Sequence, residues 1–217
     1  MSRPRVCCSQ CEGIELTFNE ENADDDLRLY RAEGPDEETQ WLLDELKARG
    51  VEGMTLLDIG GGVGMIQHEL LKHGAASATH VDASSAYIEA AQHEAKRRKL
   101  RDKITWLHGN FVDLAGKLDP ADIVTLDKVI CCYHDMPALV RRSAKLARRY
   151  YGIVIPRDTW WFRAAAKGMN FFQWVSRNPF RMFVHPHAEI ERHIKRAGLK
   201  PAYQRRTWLW QVALYTR

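Results

Sequence analysis

Residues 55 to 64 read Thr-Leu-Leu-Asp-Ile-Gly-Gly-Gly-Val-Gly, and no other stretch narrows the possible folds so far. An apolar run that ends in an acidic residue and then a glycine-rich turn is a buried strand handing over to a helix across a tight loop. Gly60 and Gly62 remove side chains where the backbone must turn sharply and come close to a ligand, and Gly64 opens a helix that begins with Met65, Ile66, Leu70 and Leu71. A dinucleotide turn would read Gly-x-Gly-x-x-Gly. Here Gly64 arrives one residue too early and Met65 follows it, which makes a poor NAD site. A P-loop would end in Gly-Lys-Ser/Thr, and nothing here supplies that lysine.

The next segments extend the pattern. His80-Val81-Asp82-Ala83-Ser84 closes a second short strand with a carboxylate about twenty residues after the glycines, where such folds place the acid that grips ribose hydroxyls. Residues 104 to 108 form a third strand followed by Gly109, Asn110 and Phe111, an amide suited to the polar edge of a base and a ring suited to its face. Residues 121 to 126 read as a fourth strand, apolar on both faces and ending at Asp127. Strands at 55 to 59, 77 to 82, 104 to 108, 121 to 126 and 151 to 155 alternate with helices at 64 to 73, 84 to 99 and 137 to 149. Such alternation predicts an α/β fold with a doubly wound, mostly parallel sheet. Residues 202 to 207 and 209 to 216 predict a closing antiparallel hairpin.

These motifs resemble the Rossmann-like, class I S-adenosylmethionine-dependent methyltransferases over roughly residues 36 to 217. The resemblance implies S-adenosylmethionine as cofactor. It implies the glycine turn at the methionine part of that cofactor and Asp82 at the ribose. The adenine would lie against Gly109-Asn110, where the family carries Gly-Asp. The cofactor site so read comprises Asp58, Gly60, Gly62, Asp82, Ala83, Asn110, Phe111, Asp127 and Tyr30. Residues 127 to 133, 155 to 158 and 206 to 215 are similar to the magnesium-protoporphyrin O-methyltransferase branch and its uncharacterised bacterial relatives. A non-catalytic sensor or scaffold that binds the nucleoside, and a methyltransferase acting on a metalloid or thiol, are the alternative readings.

At 217 residues, 45% of them apolar, the chain suffices for one α/β core and has no room for a second full domain. We expect residues 1 to 35 to form a flexible N-terminus and a helical lid, with the remainder one methyltransferase domain. No apolar run approaches the ~20 residues needed to span a bilayer, and the start lacks the apolar segment of a signal peptide, so a cytoplasmic protein is expected. Net charge is a mild +4. The basic clusters at 96 to 99, 141 to 149 and 205 to 206 read as solvated helix and strand faces. The Asn/Asp-Pro-Pro-aromatic motif of nucleic-acid base methyltransferases is absent, as are the paired glutamates of protein-arginine methyltransferases. The expected partner is a small-molecule acceptor, not nucleic acid. Five cysteines fit reduced thiols. Cys7, Cys8 and Cys11 lack the fourth ligand and second pair of a structural zinc site, so no metal is assigned.

The acidic segment from residue 18 to 32 reads as a helix ended by Gly34-Pro35, and 36 to 49 as another. Residues 158 to 186 are dense in aromatics and interleaved with Arg163, Lys167, Arg177 and Arg181. They are read as a cap over an aromatic or apolar, anionic acceptor. The candidate catalytic residues are Tyr133 and His134, just beyond the fourth strand, and Arg157, whose guanidinium could hold a carboxylate bidentately. His185 and His187 are read as caps of a helix over residues 188 to 197.

Overall fold

The structure, a computed structural model, describes residues 9–217. Two helices, α1 (Ser9–Thr17) and α2 (Glu20–Glu33), precede the core, which α3 (Glu37–Ala48) opens. Then follow β1 (Thr55–Ile59), α4 (Met65–Lys72), β2 (Ser77–Asp82), α5 (Ser85–Arg97), β3 (Ile104–His108), the single turn α6 (Phe111–Leu114) and β4 (Ala121–Asp127). The chain continues through α7 (Met136–Leu146), β5 (Ala147–Pro156), α8 (Trp160–Val175), α9 (His187–Arg196), β6 (Lys200–Arg206) and β7 (Trp210–Thr216). Helix starts follow local chemistry: the side chains of Asn19, Asp36 and Ser84 accept backbone N–H groups at the heads of α2, α3 and α5. Gly34, at φ +83°, ends α2.

The strands form one sheet in the order β3-β2-β1-β4-β5-β7-β6. β1 to β5 run parallel, and β7 is antiparallel to both β5 and β6. The winding reverses between β1 and β4, so a crevice is expected beyond their carboxyl ends. Successive residues of the central strands face opposite layers. Leu57, Val124 and Leu126 pack with Leu139 and Val140 of α7 and Ile190 and Ile194 of α9. Leu56 and Ile123 pack with Leu42, Leu43 and Leu46 of α3 and Ile66 and Leu70 of α4. Each such side chain contributes ~1.5–3 kcal/mol of burial, and the two layers hold β1 and β4 as a rigid floor under the crevice.

The fold is the doubly wound α/β sheet with a C-terminal hairpin that the sequence predicts, with three local differences. The helix predicted to run to residue 149 stops at Leu146, because Ala147 already pairs with Ala121 of β4 and Tyr150 with Ile123. Tyr150 thus belongs to the sheet. Residues 9 to 13, read as flexible, lie in α1. There the Gln10 side chain donates to the carbonyls of Cys132 (2.7 Å) and Arg181 (3.0 Å). A Cβ on Gly13 would lie 2.2 Å from Phe180 N. Tertiary docking, not local propensity, makes this helix. The remaining part of that reading, with Cys7 and Cys8, lies outside the described residues. Finally, His185 and His187 do not cap α9, whose first residue is His187 and which has no side-chain cap. They donate instead to the carbonyls of Tyr133 (2.9 Å) and Pro156 (2.8 Å).

Candidate functional site

The glycine turn after β1 is built by exclusion. Gly60, Gly62 and Gly64 have φ of +63°, +57° and +85°, a region that costs other residues ~1–2 kcal/mol. A Cβ on Gly60 would lie 2.4 Å from Val129 Cγ2, and one on Gly64 2.7 Å from the side chains of Gln67 and His68. Gly61, which the sequence reading passed over, is needed for space alone: a Cβ there would lie 2.5 Å from Nδ1 of the wholly buried His80. Gly60 N donates to Val81 O (2.6 Å), and Gly62 N donates to Asp82 Oδ2 (3.0 Å). The other Asp82 oxygen accepts Ser84 N (2.9 Å). Asp82 therefore fixes the turn to the end of β2 while itself lining the crevice.

Two adjoining cavities, about 500 and about 260 Å³, meet at Gly60, Gly62, Asp127 and Lys128. Tyr30, Pro35 and Asp36 line the larger with Asp58 and Gly61. The smaller lies among Asp82, Ala83, Asn110 and Phe111 on one hand and Ile14, Phe18, Val129 and Tyr133 on the other. Together they have the dimensions of a small-molecule site, ~300–1,000 Å³.

Charge in the larger cavity is unusual. Asp58 is buried; its Oδ1 accepts the Thr125 hydroxyl (2.7 Å) and its Oδ2 has no partner. Burial raises its pKa to about 7, with Asp127 and Asp82 adding to the rise against the Thr125 bond. Asp127 Oδ2 accepts the Thr39 hydroxyl (2.5 Å), its buried Oδ1 has no partner, and burial raises its pKa to about 6. Burial likewise raises Asp82. Next to them Lys128, at φ +58°, places Nζ 2.5 Å from Asp36. Burial opposes the ionisation of Asp36, but the Lys128 charge and hydrogen bond outweigh it and lower its pKa. Beneath the turn, burial depresses His68 to about 4 and His80 to about 3, so both rings are neutral at pH 7. Two carboxylates with one spare buried oxygen each form a receptor for a cation.

Helix α2 roofs the larger cavity and is held by charge. Glu94 of α5, with its side chain wholly buried, accepts Arg31 of α2 (2.8 Å), Arg97 (2.5 Å) and Arg98 (2.6 Å), and its pKa is driven well below the usual range. Tyr30 donates to Glu69 (2.9 Å), and Tyr87 donates to Asp26 (2.5 Å).

All nine residues read as the cofactor site line one or both cavities. Asn110 is already engaged: its oxygen accepts Val112 N (3.1 Å) as the cap of α6 and its nitrogen donates to Asp113 (3.0 Å). Of the three candidate catalytic residues, only Tyr133 lines a cavity; His134 is exposed, and Arg157 is outside both linings. No residue of 158 to 186 lines either cavity. The sequence reading missed Lys128, though it lies between the singled-out Asp127 and Tyr133. It also missed Thr125 and Asp36, whose roles depend on contacts across 67 and 92 residues of chain.

Residues 56–149, from β1 to the first residues of β5, match the model of the methyltransferase domain family. The matched residues carry the glycine turn, Asp82 and Asp127, and the match supports an S-adenosylmethionine-dependent methyltransferase. No curated protein matches the sequence. Among solved structures, magnesium protoporphyrin IX methyltransferase from Synechocystis is similar at 20% identity and a TM-score of 0.73, over 94% of this chain and 98% of that one. Geranyl diphosphate C-methyltransferase from Streptomyces coelicolor is similar at 14% identity and a TM-score of 0.76, over 99% and 100%. An O-methyltransferase family protein from Burkholderia thailandensis gives 16% and 0.71, over 94% of this chain and 62% of that one. The chain thus shares its fold with methyltransferases of differing acceptors. Its cavities fit S-adenosylmethionine: a glycine turn with no space for a Cβ at Gly60 or Gly64, a strand-end carboxylate, and unpartnered acidic oxygens suited to the ammonium group of the ligand.

Proposed function

We propose that this methyltransferase acts on a small acceptor with an apolar or aromatic body and an anionic group. In this reading the amino group of the cofactor lies with Asp58 and Asp127, its ribose on Asp82, and its adenine between Ala83, Asn110 and Phe111. Tyr30 and the glycine turn enclose the methionine part. When bound, S-adenosylmethionine supplies an electrophilic methyl group on a sulfonium.

The chain's own contribution is position and environment. Lys128 carries the reading, because it is the one lysine or arginine among the described residues that line either cavity. One of its three donors engages Asp36, leaving others for an acceptor anion. It takes the role that the sequence assigned to Arg157. Ile14, Phe18 and Val129 supply apolar walls that exclude water, and Tyr133 stands beside them. Holding an acceptor in line with a methyl carbon can contribute ~7–11 kcal/mol. An acceptor carboxylate needs no base. His185, whose pKa burial lowers, donates to the Tyr133 carbonyl and so steadies the loop that carries that ring.

The test is a screen of aromatic carboxylates, phenols, amines and thiols with methyl-labelled cofactor. The proposal expects label in an anionic aromatic product and expects Lys128→Met to raise KM for that acceptor while cofactor affinity is kept. Labelling of cationic acceptors alone, or equal loss of acceptor and cofactor binding in Lys128→Met, would overturn it.

A further inference from the structure

Among the described residues the most exposed large apolar side chains lie on α8 and the β6–β7 turn, and neither cavity uses them. On α8 the inner face is formed by Phe162 and Ala166, both buried. A residue advances ~100° around a helix axis, which puts Trp160, Ala164, Phe171 and Val175 together on the opposite, outward side. Trp160 is 81% exposed, Phe172 69%, Trp174 65%, and Trp208 on the neighbouring turn 69%. Trp161 stacks flat on Trp208, with ring centroids 4.5 Å apart at 9°, joining helix and turn into one patch. A helix that is apolar on both sides must be covered on both.

Charge identifies the cover. From residue 159 to 188 the chain has no Asp or Glu; Arg163 pairs with Asp158 and Arg181 donates to the Asn178 and Phe180 carbonyls, while Lys167 and Arg177 stand exposed among the aromatics. A second copy docked face to face would set these cations against themselves. Tryptophan and phenylalanine flanked by lysine and arginine are instead the chemistry of a helix lying in the headgroup region of a bilayer. At 16 residues α8 is too short to span one, and no helix among the described residues is long and apolar enough to do so. The patch also lies at the right edge of the sheet. The turn joins β6 to β7 where Trp210 pairs with Pro156, at the carboxyl end of β5, and Lys128 of the cavity rim places Nζ 5.5 Å from the Trp210 ring centroid.

We propose that α8 and the β6–β7 turn dock this protein on an anionic lipid bilayer, with the crevice edge turned toward the membrane. The test is co-sedimentation of the full chain with vesicles of phosphatidylcholine plus phosphatidylglycerol and with vesicles of phosphatidylcholine alone. Binding to the mixed vesicles is expected, with a blue-shifted tryptophan emission and release as salt is raised. Lys167→Glu with Arg177→Glu should weaken binding by about 25-fold or more, about fivefold for each cation lost. Trp160→Ser with Phe171→Ser and Trp174→Ser should abolish it. Cofactor titration and circular dichroism establish that these variants are folded, and the salt dependence of the parent tests the proposal without any variant. Failure of the parent to bind mixed vesicles, or equal binding to phosphatidylcholine alone, would overturn it. So would a concentration-dependent dimer without lipid that the triple substitution dissolves.

Discussion

Replacing Asp58 by Asn should stabilise the empty protein and cripple its affinity for cofactor, opposite effects that a purely structural aspartate would not give. Folding carries this carboxyl from an ordinary pKa near 3.8 to about 7, chiefly by burial. The sign follows from linkage: a raised folded-state pKa gives stability that is fully present below the unfolded value and is lost as pH rises from there through 7. Each tenfold change in an acid constant on folding is worth ~1.4 kcal/mol. At pH 8 the ionised side chain therefore destabilises the fold by about 4 kcal/mol as an upper bound. The amide keeps the acceptor for the Thr125 hydroxyl and removes the charge. Allowing for relaxation, we expect a gain of ~2–4 kcal/mol, or roughly 5–15 °C in Tm for a chain of this size. The gain should fall to roughly half or less at pH 5, where Asp58 of the folded parent is already protonated, and vanish below about pH 4, where the unfolded chain is protonated too. Calorimetric titration at pH 8 should show at least ~10-fold weaker binding of S-adenosylmethionine, because a charge-assisted partner is worth ~1.5–3 kcal/mol. A drop in Tm at pH 8 together with unchanged affinity would refute the reasoning.

Two further substitutions probe the scaffold around the site. Gly61→Ala should cost ~1–3 kcal/mol of stability by overpacking against His80, read by urea unfolding; an unchanged midpoint would mean that the turn yields. Glu94→Gln should destabilise the protein by ~1–3 kcal/mol, because it weakens charge-assisted bonds to Arg31, Arg97 and Arg98, although Arg31 and Arg97 can be hydrated and Arg98 keeps Glu69. The same substitution should speed hydrogen exchange in α2 relative to the sheet, and equal protection in parent and variant would detach the α2 roof from this cluster.

Much of this architecture was legible in the sequence, for identifiable reasons. β1, β2 and β3 fall on their predicted bounds because each is a short apolar run closed by an acid, a glycine or a polar turn. The strand-end position of Asp82 follows from the same punctuation. What stayed hidden depends on contacts between distant parts of the chain. The space that Gly61 leaves for His80, the Lys128–Asp36 pair and the docking of Gln10 against the Cys132 and Arg181 carbonyls have no local pattern. The aromatic stretch shows a different limit. Its ring density was visible, but α8 is apolar on inner and outer faces alike, so periodicity could not tell which rings pack inward. A substrate cap was the natural expectation, yet its rings lie off both cavities.

The most direct test of the account is a crystal structure of the full chain with S-adenosylhomocysteine. The account predicts the ribose hydroxyls on Asp82, the amino group within hydrogen-bond reach of Asp58 or Asp127, and the adenine against Phe111. A ligand bound away from the glycine turn, or one whose amino group points away from both carboxylates, would contradict it.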